Sequence, residues 1–235
     1  MTTRPRTAQP RTTRPRSGRA EHLRASPPLF RSPLLDRLTR VHPAVPAALY
    51  GPLAVLLAAL AVPRLGWAAL AWHALLGYAL WTLTEYWVHR ALFHLNPRSA
   101  RGRRLHWLVH GVHHDHPDDP RRLVMPPLAS LVLTGIPFAA LHLALDGGAA
   151  NAVAAGFTAG YVLYDELHFL LHRPGPPTAL GRRLRRHHLR HHFQDDSRGF
   201  GVSCPYWDHV FGTAPERTAA ERTAAGGATG GAAAR

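Results

Sequence analysis

Long uncharged runs dominate the middle of the chain. Ala44–Val62 (AVPAALYGPLAVLLAALAV) carries no charge, Pro63, Arg64 and Gly66 interrupt it, and Gly66–Thr84 forms a second such run. Pro127–Leu145 is a third, broken internally by Gly135 and Pro137, and Ala149–Tyr164 begins a fourth after a tight turn at Asp146, Gly147 and Gly148. A helix needs roughly 20 mainly apolar residues to cross a hydrocarbon core of about 30 Å. The runs also lack the polar stripe of a soluble surface helix. The pattern therefore predicts an all-α integral membrane protein with four transmembrane helices in two hairpins.

The flanks are polar, which brings the mean hydropathy of the 235-residue chain to −0.14. Residues 1–40 hold ten Arg against Glu21 and Asp36 and are rich in Pro and Thr. Residues 1–43 thus read as a disordered basic arm, 44–213 as the membrane-embedded domain and 214–235 as a disordered Ala/Gly tail. The arm lacks the short n-region and cleavage site of a signal peptide. A single cysteine, Cys204, excludes an internal disulfide framework and a Cys-based zinc finger.

All 28 basic residues are Arg, and the net charge of +14 first suggests nucleic acid. Their distribution argues otherwise. If the N-terminus is cytoplasmic, the even-numbered spans return there, and 27 of the 28 Arg fall on that side with only Arg64 opposite. That asymmetry is the positive-inside signature of a multi-pass protein with both termini cytoplasmic. Trp81, Tyr86, Trp87, Tyr161 and Tyr164 fall where an aromatic belt would meet that interface. No aromatic platform or known motif supports nucleic-acid binding.

Histidine is the other excess. Eleven of the 18 form four groups: His89 and His94; His106, His110, His113 and His114; His168 and His172; His188, His191 and His192. Each lies at or beyond the cytoplasmic end of the second or fourth run, so groups distant in sequence converge on one membrane face. Residues three and four apart share a helix face, so each HxxHH set and the pair His168/His172 can aim at one point. His89 and His94, five apart, stand about 140° apart around an α-helix. They suit two different metals, or a helix that unwinds near His94. So many imidazoles exceed the needs of one ion, and two metals is the economical reading. All-nitrogen ligation suits iron, zinc or copper rather than calcium or magnesium.

Glu85 precedes His89 by four positions and Asp165 precedes His168 by three. Either can accept a hydrogen bond from a ligand's remote N–H and fix its tautomer, or pair with Arg90 or Arg173 at the interface. His22, His42, His73, His142 and His209 read as packing or hydrogen-bonding residues. His106, His116 and His187 stay open to a proton-relay or substrate-contact role.

The segments EYWVHRALFH (85–94), HWLVHGVHHDHPDDPRRLVMPP (106–127), GYVLYDELHFLLH (160–172), HHLRHHF (187–193) and GFGVSCPYWDHVFGT (199–213) together resemble the fatty acid hydroxylase superfamily, which is sterol desaturase-like, and within it the fatty acid 2-hydroxylases. The resemblance covers roughly residues 45–213. It implies four transmembrane helices capped by a cytoplasmic helical domain with a His-rich dimetal centre. The ligands carried over by motif position are His89, His94, His110, His113, His114, His168, His172, His188, His191 and His192. It further implies two iron ions, with zinc an alternative occupant in the isolated protein, O2 as co-substrate, and hydroxylation at C2 of a long acyl chain on a membrane lipid or fatty-acyl substrate. The fused cytochrome b5 domain of eukaryotic 2-hydroxylases, with its HPGG motif, is not matched by the Arg/Pro arm. A separate electron donor is then expected: a cytochrome b5-like protein, a ferredoxin or a reductase. His187 stands where relatives often have Tyr.

Two other readings compete. A carotenoid or sterol hydroxylase or a desaturase uses the same scaffold, and the YDxxH and HGxHH contexts favour the 2-hydroxylase branch. A His-rich metal transporter or storage protein would place its site near the bilayer midplane, whereas these histidines gather at one face.

Overall fold

The computed structural model describes residues 16–216. Residues 1–15 of the arm and the tail beyond 216, both expected to be disordered, lie outside them. The described residues form no strand. In chain order they form α1 (Arg16–Arg24), α2 (Pro33–Leu38), α3 (Val45–Trp87), a π-helical turn (Val88–Phe93), α4 (Ala100–His106), a second π-helical turn (Trp107–Gly111), α5 (Val112–Asp115), α6 (Pro127–Ala144), α7 (Gly147–His172), α8 (Ala179–Phe193) and α9 (Tyr206–Val210).

The element α3 is two helices in one. Gly66 has φ 74° and ψ 168°, a backbone conformation only glycine adopts readily. The chain folds back there. Tyr50 and Trp81 would stand more than 40 Å apart on a straight helix at about 1.5 Å per residue. Instead their rings lie 4.9 and 5.3 Å from the ring of Tyr161. The two legs, 45–65 and 67–87, are antiparallel, as the break between the first two uncharged runs predicted.

Helix α7 is central. A Cβ at Gly77 would fall on the Val153 carbonyl, one at Gly156 on the Ala74 carbonyl, and one at Gly160 on the Trp81 ring. The second leg of α3 and α7 therefore touch backbone to backbone, the close approach that small residues four apart permit between membrane helices. The first leg packs Leu57 and Ala61 against Ala152, Ala154 and Ala155, and Tyr50 hydroxyl meets Ser130 Oγ of α6 at 2.9 Å. Large apolar side chains point outward: Leu56, Leu60, Trp72, Leu76, Leu131 and Ile136 are all exposed. Two stretches, Val45–Phe93 and Pro127–Ala144, are long and apolar enough to cross a membrane.

The aromatic residues expected as an interfacial belt are mostly interior. Trp81, Tyr86, Tyr161 and Tyr164 are buried, and Trp87 alone is exposed. Edge-to-face packing of Trp81 on Phe157 and Tyr161 makes them the core between α3 and α7.

The disordered reading of the arm fails for residues 16–43. The Asp36 carboxylate accepts Leu29 N–H at 2.6 Å and pairs with Arg40 and Arg122 at 2.9 and 3.2 Å. Arg122 also donates to the Pro27 carbonyl, and Val41 N–H to the Arg121 carbonyl. Leu29 and Val41 are buried. Composition missed this strap because a few specific ion pairs and two apolar anchors hold it.

Candidate metal centre

The π-helical turn at 88–93 settles where His94 points. Its widened ladder donates His94 N–H to the His89 carbonyl at 3.1 Å, five residues back. Residues five apart then share a face, and the two rings stand 5.1 Å apart. Of the two expected alternatives the second applies: the helix widens into the π turn and leaves helical geometry at His94, whose φ is −103° and ψ 21°, and the pair is not split between groups. Such π turns are rare and concentrate at functional sites.

The HxxHH sets, by contrast, are divided. Their i,i+4 pairs stay together, while the third histidine, offset by about 100° from one partner, turns to the other group. The result is two groups of five: His89, His94, His110, His114 and His191; and His113, His168, His172, His188 and His192. Within each, one nitrogen per residue lies within 4.8 Å of all the others. The groups abut, with His114 and His192 ring centroids 4.3 Å apart.

The ring nitrogens are assigned by their surroundings. His89, His168 and His191 engage backbone carbonyls of Phe200, Leu123 and Arg198 through Nδ1, at 2.7, 2.9 and 2.7 Å. A carbonyl only accepts, so Nδ1 carries the proton and Nε2 keeps its lone pair. The Nε2 atoms of His89, His94 and His191 are buried without a hydrogen-bond partner among the described residues. In the second group nitrogens face nitrogens: His172 and His188 Nε2 at 2.8 Å, His113 and His168 Nε2 at 3.1 Å. Burial first, and then the neighbouring imidazoles, push His113, His188 and His192 well below the usual histidine range, His94 to about 3 and His114 to about 2. Neutral rings with converging lone pairs fit a first-row transition metal bound at about 2 Å.

Glu85 and Asp165 do not touch these histidines as expected. Glu85 Oε1 accepts Val202 and Ser203 N–H at 2.7 and 2.8 Å, and its other oxygen takes the Ser203 hydroxyl. Asp165 accepts Met125 N–H at 3.3 Å. Side chains lean toward the helix N-terminus, so each carboxylate reaches past its histidine to an adjacent loop. Those are the loops that supply the Phe200 and Leu123 carbonyls.

Asp208 escaped the sequence reading. It is fully buried and accepts Phe200 and Gly201 N–H, the Thr213 hydroxyl and His187 Nε2–H, all at 2.8–2.9 Å. Burial pushes this carboxyl up, but the donors from His187, Gly201 and Thr213 outweigh it and hold the group below the usual range. Its only signal was the WDxxFGT segment. His187 is thereby occupied outside both groups. His106 and Cys204 also lie outside them, and His73 and His142 bond helix carbonyls, as packing histidines do.

The fatty acid hydroxylase family model matches residues 74–213. The chain is 41% identical over 146 residues to the dihydroceramide fatty acyl 2-hydroxylase FAH2 of Arabidopsis thaliana, covering 62% of each chain. It is 40% identical over 147 residues to the fatty acid 2-hydroxylase of Homo sapiens, covering 61% of this chain and 40% of that one. It is 43% identical over 140 residues to the ceramide very long chain fatty acid hydroxylase SCS7 of Saccharomyces cerevisiae, covering 58% and 36%. The alignments span less than two thirds of the length of these relatives. A solved structure of full-length scs7p, in which only the hydroxylase domain is visible, superposes with a TM-score of 0.74 at 36% identity, over 78% of this chain and 71% of that one.

Proposed function

Because the chain belongs to the fatty acid hydroxylase family, we propose that it is a membrane-embedded, O2-dependent di-iron enzyme that hydroxylates C2 of a long-chain fatty acid or fatty-acyl lipid. The observation that carries this reading is the pair of abutting five-histidine groups at one end of an outwardly apolar helix bundle. His89, His94, His110, His114 and His191 hold one ion, and His113, His168, His172, His188 and His192 the other. The two legs of α3, with α6 and α7, form four membrane passes. The Arg-rich cap and both termini lie on the cytoplasmic side. Electrons come from a donor protein of cytochrome b5, ferredoxin or reductase type.

When bound, the iron pair supplies the O2 chemistry that an unactivated C–H bond demands and that side chains cannot provide. The residues of the chain do the rest. The Phe200, Arg198 and Leu123 carbonyls fix three imidazoles in one tautomer. Trp81, Glu85, Val88, Phe93, Met125, Leu133 and Tyr164 line a narrow slot between the second leg of α3, α6 and α7. Its walls are apolar apart from the Glu85 carboxylate, which the 202–203 loop satisfies, and so tight a slot excludes water beside the histidines. Expression in a host without 2-hydroxy lipids tests the reading. The expected product is O2-dependent 2-hydroxy acyl chains, lost with His113→Ala or His191→Ala. Unchanged product in those variants would overturn the assigned site.

A further inference from the structure

A second cavity, of about 790 Å³, opens where the N-terminal strap enters α3 and the end of α7 passes beneath residues 120 and 121. That volume is in the range of small-molecule pockets, about 300–1,000 Å³. None of the ten histidines lines it. On α7 it is bordered by Glu166 and Phe169, each one position on from Asp165 and His168, and just past the end of α7 by Arg173. It therefore occupies a face of the helix turned about 100° from the metal centre.

Its chemistry is mixed in a particular way. The floor is apolar, with Val41, Ala47 and Phe169. At the rim, the Arg121 guanidinium makes no hydrogen bond or ion pair among the described residues, and the Arg173 guanidinium lies 5.0 Å over the Phe169 ring. Both cations are thus available to an anion. Glu166 Oε1 is buried with no hydrogen-bond partner among the described residues, so a ligand that satisfies it must bring a donor. The membrane-embedded reading above, on which this inference rests, puts the cavity at the headgroup level of the cytoplasmic leaflet.

We propose that the cavity binds the headgroup of a membrane phospholipid whose head alcohol carries a hydrogen-bond donor, as ethanolamine and glycerol do and choline does not. The phosphodiester sits between Arg121 and Arg173, the head-alcohol donor meets Glu166 Oε1, and the start of an acyl chain lies on Phe169 and Ala47. Basic pockets between membrane helices on the cytoplasmic side hold lipid phosphates in this manner.

Native mass spectrometry of the full-length protein in detergent tests this, with phosphatidylethanolamine, phosphatidylglycerol, phosphatidylcholine and inorganic phosphate as probes. Wild type should retain the first two about tenfold better than phosphatidylcholine, the effect of one charge-assisted hydrogen bond. Arg121→Ala with Arg173→Ala should weaken every phospholipid by at least about tenfold. Glu166→Leu should erase the preference over phosphatidylcholine and leave the rest. Ala47→Phe fills the cavity from its apolar side and should exclude all three lipids, which keeps the test open if the double Arg variant fails to fold. Equal retention of phosphatidylcholine by wild type, or displacement of the lipids by inorganic phosphate, overturns the proposal. Lost lipid selectivity beside normal 2-hydroxy products would sink this site alone. Intact selectivity without such products would sink the hydroxylase reading alone.

Discussion

His89 and Phe200, 111 positions apart, are joined by a 2.7 Å hydrogen bond from imidazole Nδ1–H to the backbone carbonyl. Asp208 holds the same peptide segment through Phe200 N–H and Gly201 N–H. The orientation of one histidine in the bundle thus depends on a buried carboxylate in the last helix.

Asp208→Asn should therefore act on one half of the centre. The loop that orients His89 and His191 loosens, and affinity for the ion held by their group falls by about 10–100-fold, the usual effect of losing a group that orients a ligand. Metal analysis of the purified protein should move from about two ions per chain toward one. Two retained ions would show that the carboxylate does not position that group.

Deleting Ala91 should have the same selectivity by another route. Removing one residue from the π turn restores an α-helical ladder and brings His94 four positions from His89, but shifts every residue after it by one step. The hairpin leading to α4 is displaced, and the group containing His94 loses its ion, while His113, His168, His172, His188 and His192 keep theirs. Metal stoichiometry of the deletion against His94→Ala separates a lost turn from a lost ligand.

The glycines predict opposite signs within one bundle. Gly77→Ala and Gly156→Ala drive a methyl into the facing backbone and should cost about 1–3 kcal/mol or more. Gly51 and Gly135 face open space, and Ala there should stabilise by up to about 1 kcal/mol through helix propensity alone. Thermal unfolding of the four variants in detergent reads the sign directly.

Acid should destabilise the metal-free protein. Burial holds folded His94 near 3 and His114 near 2, whereas unfolded histidine titrates near 6.5. Between those values the unfolded chain binds protons that the folded chain refuses, so stability is highest above about pH 6.5 and declines as pH falls toward 3. After chelation, the unfolding midpoint should be several degrees lower at pH 5 than at pH 7.5. A flat profile would mean that the imidazoles are not buried in solution.

What the sequence revealed followed periodicity. Arg64 and Gly66 marked the first hairpin, Asp146 the turn before α7, and HxxHH the residues of the centre. What it hid arose from departures from α-helical period and from distant loops. The partition of His113 from His114 depends on which side of the helix each neighbouring group lies. The union of His89 with His94 depends on a π turn that no side-chain pattern announces. Glu85 and Asp165 were expected to accept from the histidines themselves, but the loops they hold instead come from 117 and 40 positions away. The Arg/Pro composition of the strap concealed two anchors, Leu29 and Val41, too few to register as a pattern.

Helix α7 carries Gly156 and Gly160 near its middle and His168 and His172 at its top. From Gly160 to His172 is about 18 Å of uninterrupted helix. The glycine contacts clamp it to the second leg of α3, and that leg continues directly into the turn bearing His89 and His94. The two helices act as a pair of rods joined below and separately loaded above. If the bundle spans a bilayer as proposed, a thickness that changed their mutual tilt would shear one set of imidazoles against the other. Membrane composition would then be a mechanical input to the spacing of the centre, without any lipid having to reach it.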